Sequence, residues 1–90
     1  MKVEEVISRV AELCRQYDAQ KVILYGSRAK GTALERSDID IAVSGVNDFD
    51  LLVEKIEELP TLYSVDVLNM DTCRNELLME DVRKYGRKIL

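Results

Sequence analysis

Ninety residues carry 13 Lys and Arg against 17 Asp and Glu, a net charge of −4, with 47% hydrophobic and 33% charged residues. This is the balance of one folded globular domain, residues 1–90, with one modest core, not of a disordered tail. The acid surplus argues against direct nucleic-acid binding. No apolar run reaches membrane length and no secretory pattern opens the chain, which points to the cytoplasm and away from a membrane. No His and only two Cys, Cys14 and Cys73, argue against zinc.

The elements follow in chain order. Val3, Val6, Ile7, Val10, Leu13, Cys14 and Tyr17 recur every three or four residues and predict an amphipathic first helix with Cys14 in its apolar stripe. Lys21-Val22-Ile23-Leu24-Tyr25 reads as a strand. Gly26 ends it, and a glycine there lets a ligand come close to the main chain. Ser27 adds a hydroxyl and an amide, and residues 28–30 can begin a helical turn whose free N–H groups favour an anion. Arg28 and Lys30 add positive charge, and Gly31-Thr32 breaks the turn. Gly26, Ser27 and Arg28 are therefore candidates for holding phosphate, and Lys30 has the same claim as Arg28.

Ser37-Asp38-Ile39-Asp40-Ile41-Ala42-Val43 alternates with the strand period, so Asp38 and Asp40 share one face. Two carboxylate charges about 6 Å apart repel by roughly 3 kcal/mol at an effective dielectric of 20. Only Arg36 lies near in sequence to relieve them, and a Mg²⁺ ion would do so better. A helix over residues 48–59 follows, with Asp48 as N-cap and Pro60 as the stop. Tyr63-Ser64-Val65-Asp66-Val67-Leu68-Asn69 is a third strand with one acid in its middle. If it lies beside the second strand, Asp66 joins Asp38 and Asp40 as a catalytic and metal-binding set suited to two metal ions, or to one metal and a base. A last helix is expected from about Thr72 to Tyr85, closed by Gly86. The short link between strands one and two predicts antiparallel pairing, and the helix between strands two and three permits a parallel pair, so the sheet is expected to be mixed.

The string Leu24-Tyr25-Gly26-Ser27-Arg28-Ala29-Lys30-Gly31, followed by Ser37-Asp38-Ile39-Asp40, resembles the signature of the nucleotidyltransferase superfamily that includes DNA polymerase beta. Within it, the chain is similar to the minimal nucleotidyltransferases of bacteria and archaea, one-domain proteins often paired as antitoxins with HEPN-domain proteins. The resemblance implies a small α/β nucleotidyltransferase fold whose mixed sheet is flanked by helices. It implies Asp38 and Asp40 as metal ligands, Asp66 as the third acid, and Gly26 and Ser27 at the triphosphate. It further implies Mg²⁺, ATP as the AMP donor, and a hydroxyl of a HEPN-type toxin as acceptor. Two other functions compete: an antitoxin that binds nucleotide and silences its toxin by contact alone, and a nucleotidyltransferase acting on a small molecule. The ending Arg83-Lys84-Tyr85-Gly86-Arg87-Lys88 is more basic than the family's usual close and carries no implied function.

Overall fold

The computed structural model describes all 90 residues. Helix α1, Val3–Gln16, buries Val6, Val10 and Cys14 at successive four-residue steps. It ends in a Schellman turn: the Asp18 amide donates to the Arg15 carbonyl at 3.1 Å and the Ala19 amide to the Cys14 carbonyl at 3.0 Å. Asp18 takes the left-handed position usually given to glycine, at φ 64°.

Strand β1 spans Lys21–Tyr25, the one-turn helix α2 Ser27–Lys30, and strand β2 Ile39–Ser44. Helix α3, Phe49–Glu57, is capped by Asp48, whose side chain accepts from the Leu51 amide at 3.2 Å. Strand β3 runs Val65–Asn69, helix α4 Glu76–Tyr85, and a two-residue strand β4 Arg87–Lys88. No helix is long and apolar enough to cross a membrane.

The four strands form one mixed sheet in the order β3-β2-β1-β4. β1 pairs antiparallel with β2 from Lys21 opposite Ser44 to Tyr25 opposite Asp40. β2 and β3 run parallel, with Ile39 beside Val65 and Asp40 beside Asp66. β4 adds antiparallel to the other edge of β1, Leu24 opposite Arg87. Val22, Leu24, Ile39, Ile41 and Val43 line one face and pack with Val6, Val10 and Cys14 of α1 and Leu52 and Ile56 of α3. Each such side chain fully removed from water contributes about 1.5–3 kcal/mol, which makes this layer the main source of stability. The other face carries Tyr25 and Ala42 and is met by Val82 of α4. β2 is central, and Ile39, Ile41, Ala42 and Val43 are buried on both its faces.

Some boundaries differ from the sequence reading. β2 begins at Ile39 rather than Ser37, and β3 at Val65 rather than Tyr63. The Ser37 hydroxyl accepts from the Leu34 amide at 2.8 Å, which closes a turn where a strand was expected. The parallel ladder starts only where the Ile39 amide donates to the Ser64 carbonyl, at 2.9 Å. α4 begins at Glu76, not near Thr72, because the Asn75 side chain accepts from the Leu77 and Leu78 amides at 3.1 and 3.2 Å and caps the helix there.

Candidate active site

Gly26 connects β1 to α2 at φ 72°, ψ −155°, a region open in practice only to glycine. A β-carbon there would overlap the carboxylate of Asp40 and come within 3.2 Å of its Cγ. The glycine is thus required by a protein side chain, not only by an approaching ligand. The Ala29 and Lys30 amides donate to the Gly26 carbonyl, both at 3.1 Å, and wind α2 tightly onto the turn. The amides of Ser27 and Arg28 are the ones that a helical first turn leaves free. Gly31, left-handed at φ 77°, ends the turn, and the Thr32 amide returns to the Ser27 carbonyl at 3.0 Å.

Tyr25, Asp40 and Asp66 are cross-strand neighbours, forming one row across β1, β2 and β3. Adjacent strands lie about 4.8 Å apart, so the two acids of that row face each other at close range. Asp66 is exposed on the edge strand and Asp40 is half-buried. Burial pushes the Asp40 carboxyl above the ordinary carboxylate range, and the negative charges of Asp66, Asp38 and Asp81 push it further. Asp38 is exposed and precedes β2 instead of lying within it. Asp40 and Asp66 are register neighbours, while Asp38 stands two residues before Asp40, just outside the strand. No three His, Cys, Asp or Glu side chains are arranged to hold a metal ion. The ion pairs of the structure are Glu12–Arg15, Lys30–Asp81 and Lys55–Glu58, so Asp38, Asp40 and Asp66 have no protein cation. Carboxylates without a counter-charge, one of them partly desolvated, have the donor chemistry that a hard divalent cation takes.

The sequence reading did not single out Tyr25 or Asp81. Tyr25 is 7% exposed. Burial, then the charges of Asp40 and Asp66, push its phenol up to about 12, so it stays neutral beside the acids. Its place was legible as the last strand residue before the glycine. Asp81 reaches the site from α4, and no local pattern pointed to it.

Arg28 has a different setting from the one expected. Its Nε and Nη2 donate to the Ser37 carbonyl at 3.2 and 2.7 Å, and Nη2 also to the Glu35 carbonyl at 3.2 Å. The guanidinium sits 5.2 Å from the Tyr63 ring centroid. These contacts hold the loop that leads into Asp38. A surface hollow of about 450 Å³ is lined by Met1, Glu35, Arg36, Pro60, Thr61, Leu62 and Tyr63, with none of the three acids in its wall.

Comparison with known proteins places this geometry. A family model described as polymerase beta, nucleotidyltransferase, matches residues 8–90. "Putative protein adenylyltransferase MJ0604" of Methanocaldococcus jannaschii is 36% identical over 72 residues, which span 79% of this chain and 71% of that one. A crystal structure of a toxin-antitoxin with AMP-PNP superposes with a TM-score of 0.68 at 22% identity, covering 92% of this chain and 71% of the other. A substituted form of the toxin-antitoxin MntA-HpeT gives a TM-score of 0.73 at 24% identity, covering 93% and 71%. At these identities the two structures speak for the fold: a small mixed sheet with helices on both faces. With the family model spanning nearly the whole sequence and a relative above 30% identity, the chain belongs to the polymerase beta nucleotidyltransferase family.

Proposed function

We propose that residues 1–90 act as one nucleotidyltransferase domain that moves AMP from ATP onto a hydroxyl of a partner protein, a HEPN-type toxin in the cytoplasm, and thereby silences it. The observation that carries this reading is the register of Asp40 beside Asp66, with the Gly26 turn packed against Asp40. The name of the archaeal relative supports AMP as the transferred group, and the toxin-antitoxin structures, one of them with AMP-PNP, support a toxin as acceptor.

In this reading Gly26 and Ser27 receive the triphosphate through their backbone and the Ser27 hydroxyl. Arg28 adds positive charge and keeps the 35–37 loop, and with it Asp38, in place. Asp38, Asp40 and Asp66 would hold Mg²⁺, as one or two ions, whose chemistry when bound is to neutralise the phosphates and the developing charge. The acceptor oxygen forms a bond to the α-phosphorus, and the bond from that phosphorus to the α–β bridging oxygen breaks. Pyrophosphate leaves, and the hydroxyl proton passes to the Asp66 carboxylate, which is open to an incoming protein on the edge strand. Positioning and charge neutralisation supply most of the rate.

Incubation with labelled ATP, Mg²⁺ and a small helical HEPN-type protein tests this. Wild type should label the partner, and Asp38→Asn, Asp40→Asn and Asp66→Asn should each reduce labelling at least about a hundredfold, as expected when a group that organises transferring phosphate is lost. Labelling that survives in all three variants would exclude the acids from the chemistry.

A further inference from the structure

Arg28 turns its guanidinium to the loop carbonyls, and Lys30 is the other cation of α2. Lys30 closes α2, and its amide donates to the Gly26 carbonyl at 3.1 Å. Its ammonium lies 2.8 Å from the Asp81 carboxylate and 5.0 Å from the Tyr85 ring centroid. Asp81 and Tyr85 stand one turn apart on α4, on one stripe of that helix. α4 packs through Val82 over Tyr25 and Ala42. The Asp81 charge is felt at both Asp40 and Tyr25. The Lys30 side chain keeps 37% of its surface exposed, and Asp81 only 21%.

We propose that Asp81 and Tyr85 on α4 are positioning residues that hold the Lys30 ammonium toward phosphate bound at the Gly26 turn. The proposal rests on the nucleotidyl-transfer reading above. A fourth acid close to a triphosphate site is unfavourable by charge alone. It is intelligible as a tether, because a lysine ammonium is a point charge on a flexible stem and needs a second anchor to stay at one place. The ammonium has three donors; Asp81 takes one, and the rest remain for phosphate oxygens. The Tyr85 ring attracts the ammonium itself by its face. α4 thereby becomes part of nucleotide recognition although its side chains need not touch the nucleotide.

Calorimetric titration of ATP and of AMP, with Mg²⁺ present, into wild type, Lys30→Met, Lys30→Arg, Asp81→Asn and the Lys30→Met/Asp81→Asn pair tests the proposal. The pair is partly exposed, and a cooperative thermal melt of each variant checks that it is folded before titration. Lys30→Met should weaken ATP about tenfold or more, the usual effect of losing a charged hydrogen bond, and leave AMP nearly unchanged. Lys30→Arg should retain most of the affinity. Asp81→Asn should weaken ATP several-fold although it removes a negative charge, and should add nothing in the Lys30→Met background. If Asp81 acted only through its field, its removal would tighten ATP, and that result overturns the tether. Equal ATP affinity in wild type and Lys30→Met overturns the phosphate role while leaving nucleotidyl transfer standing. A wild type that binds no ATP overturns both.

Discussion

A β-carbon on Gly26 would occupy the same space as the Asp40 carboxylate. The turn that ends β1 and the first acid of β2 are therefore packed as one unit, and Gly26 cannot gain a side chain while Asp40 keeps its place. Gly26→Ala should destabilise the protein by about 1–3 kcal/mol from its backbone angles alone, with the overlap adding to that. Adding Asp40→Ala should recover the overlap part, and urea melts of the two single variants and the double variant measure the coupling.

Asp40→Asn should make the ligand-free protein more stable. The folded state holds the Asp40 carboxyl above its ordinary range, first by burial and then by Asp66, Asp38 and Asp81, so its charged form costs stability at neutral pH. Like charges directly opposite on neighbouring strands destabilise by roughly 0.2–1 kcal/mol, and a gain of that size is expected. In wild type the same cost is relieved as acid protonates the group, so the stabilising effect of the substitution should shrink as pH falls through the folded Asp40 value. Mg²⁺ plus ATP should raise the wild-type Tm and leave that of Asp40→Asn nearly unmoved. Thermal melts with and without ligand read both effects.

Arg28→Ala should release the loop before Asp38, because three guanidinium hydrogen bonds to Ser37 and Glu35 carbonyls are lost together. Limited proteolysis should cut that loop faster, and the transfer rate should fall about tenfold or more through misplacement of Asp38. Arg28→Lys should rescue little, since an ammonium cannot span the same two carbonyls as a planar fork.

Stability should decline in alkali. Burial raises the Cys14 thiol from 9.0 to about 11, and burial with the nearby acids raises the Tyr25 phenol from 10.0 to about 12. In each case the folded state keeps a proton that the unfolded chain has already released. The contribution is complete below the unfolded value and is lost as pH rises through the folded one. Tm should therefore fall between about pH 9 and 12, and Cys14→Val, which keeps a buried side chain of similar size, should flatten the first part of that fall. For the same reason Cys14 should resist thiol reagents in the native protein while the less buried Cys73 reacts.

The scaffold was legible wherever a local pattern and the final contact coincided. β1 runs over Lys21–Tyr25 as its apolar pattern predicts, and the helix between β2 and β3 delivers the parallel pair that puts Asp66 beside Asp40. Periodicity overran at Ser37 and Asp38, whose alternation continues the strand pattern although the Ser37 carbonyl and hydroxyl are bound by Arg28 and by the Leu34 turn. β4 left no pattern, because two basic residues become a strand only by pairing with Ile23 and Leu24 on the free edge of β1. Gly86 enables that return: a β-carbon there would come within 2.5 Å of the Ile23 side chain and overlap the Val82 carbonyl. Arg28 and Lys30 looked equivalent in sequence, and only tertiary contacts with Ser37 and Asp81 separate their tasks. The choice between a ligand and a protein carboxylate beside Gly26 likewise depends on a neighbour on another strand.

Intact-mass spectrometry of a HEPN-type partner co-expressed with this chain tests the central claim most directly. The account predicts that the partner carries one or more added AMP groups with wild type and none with the Asp38→Asn/Asp40→Asn/Asp66→Asn variant, and that cells lose protection from the partner to the extent that the adduct is lost. An unmodified partner, together with full protection by the triple variant, would contradict the account and leave an antitoxin that works by contact alone.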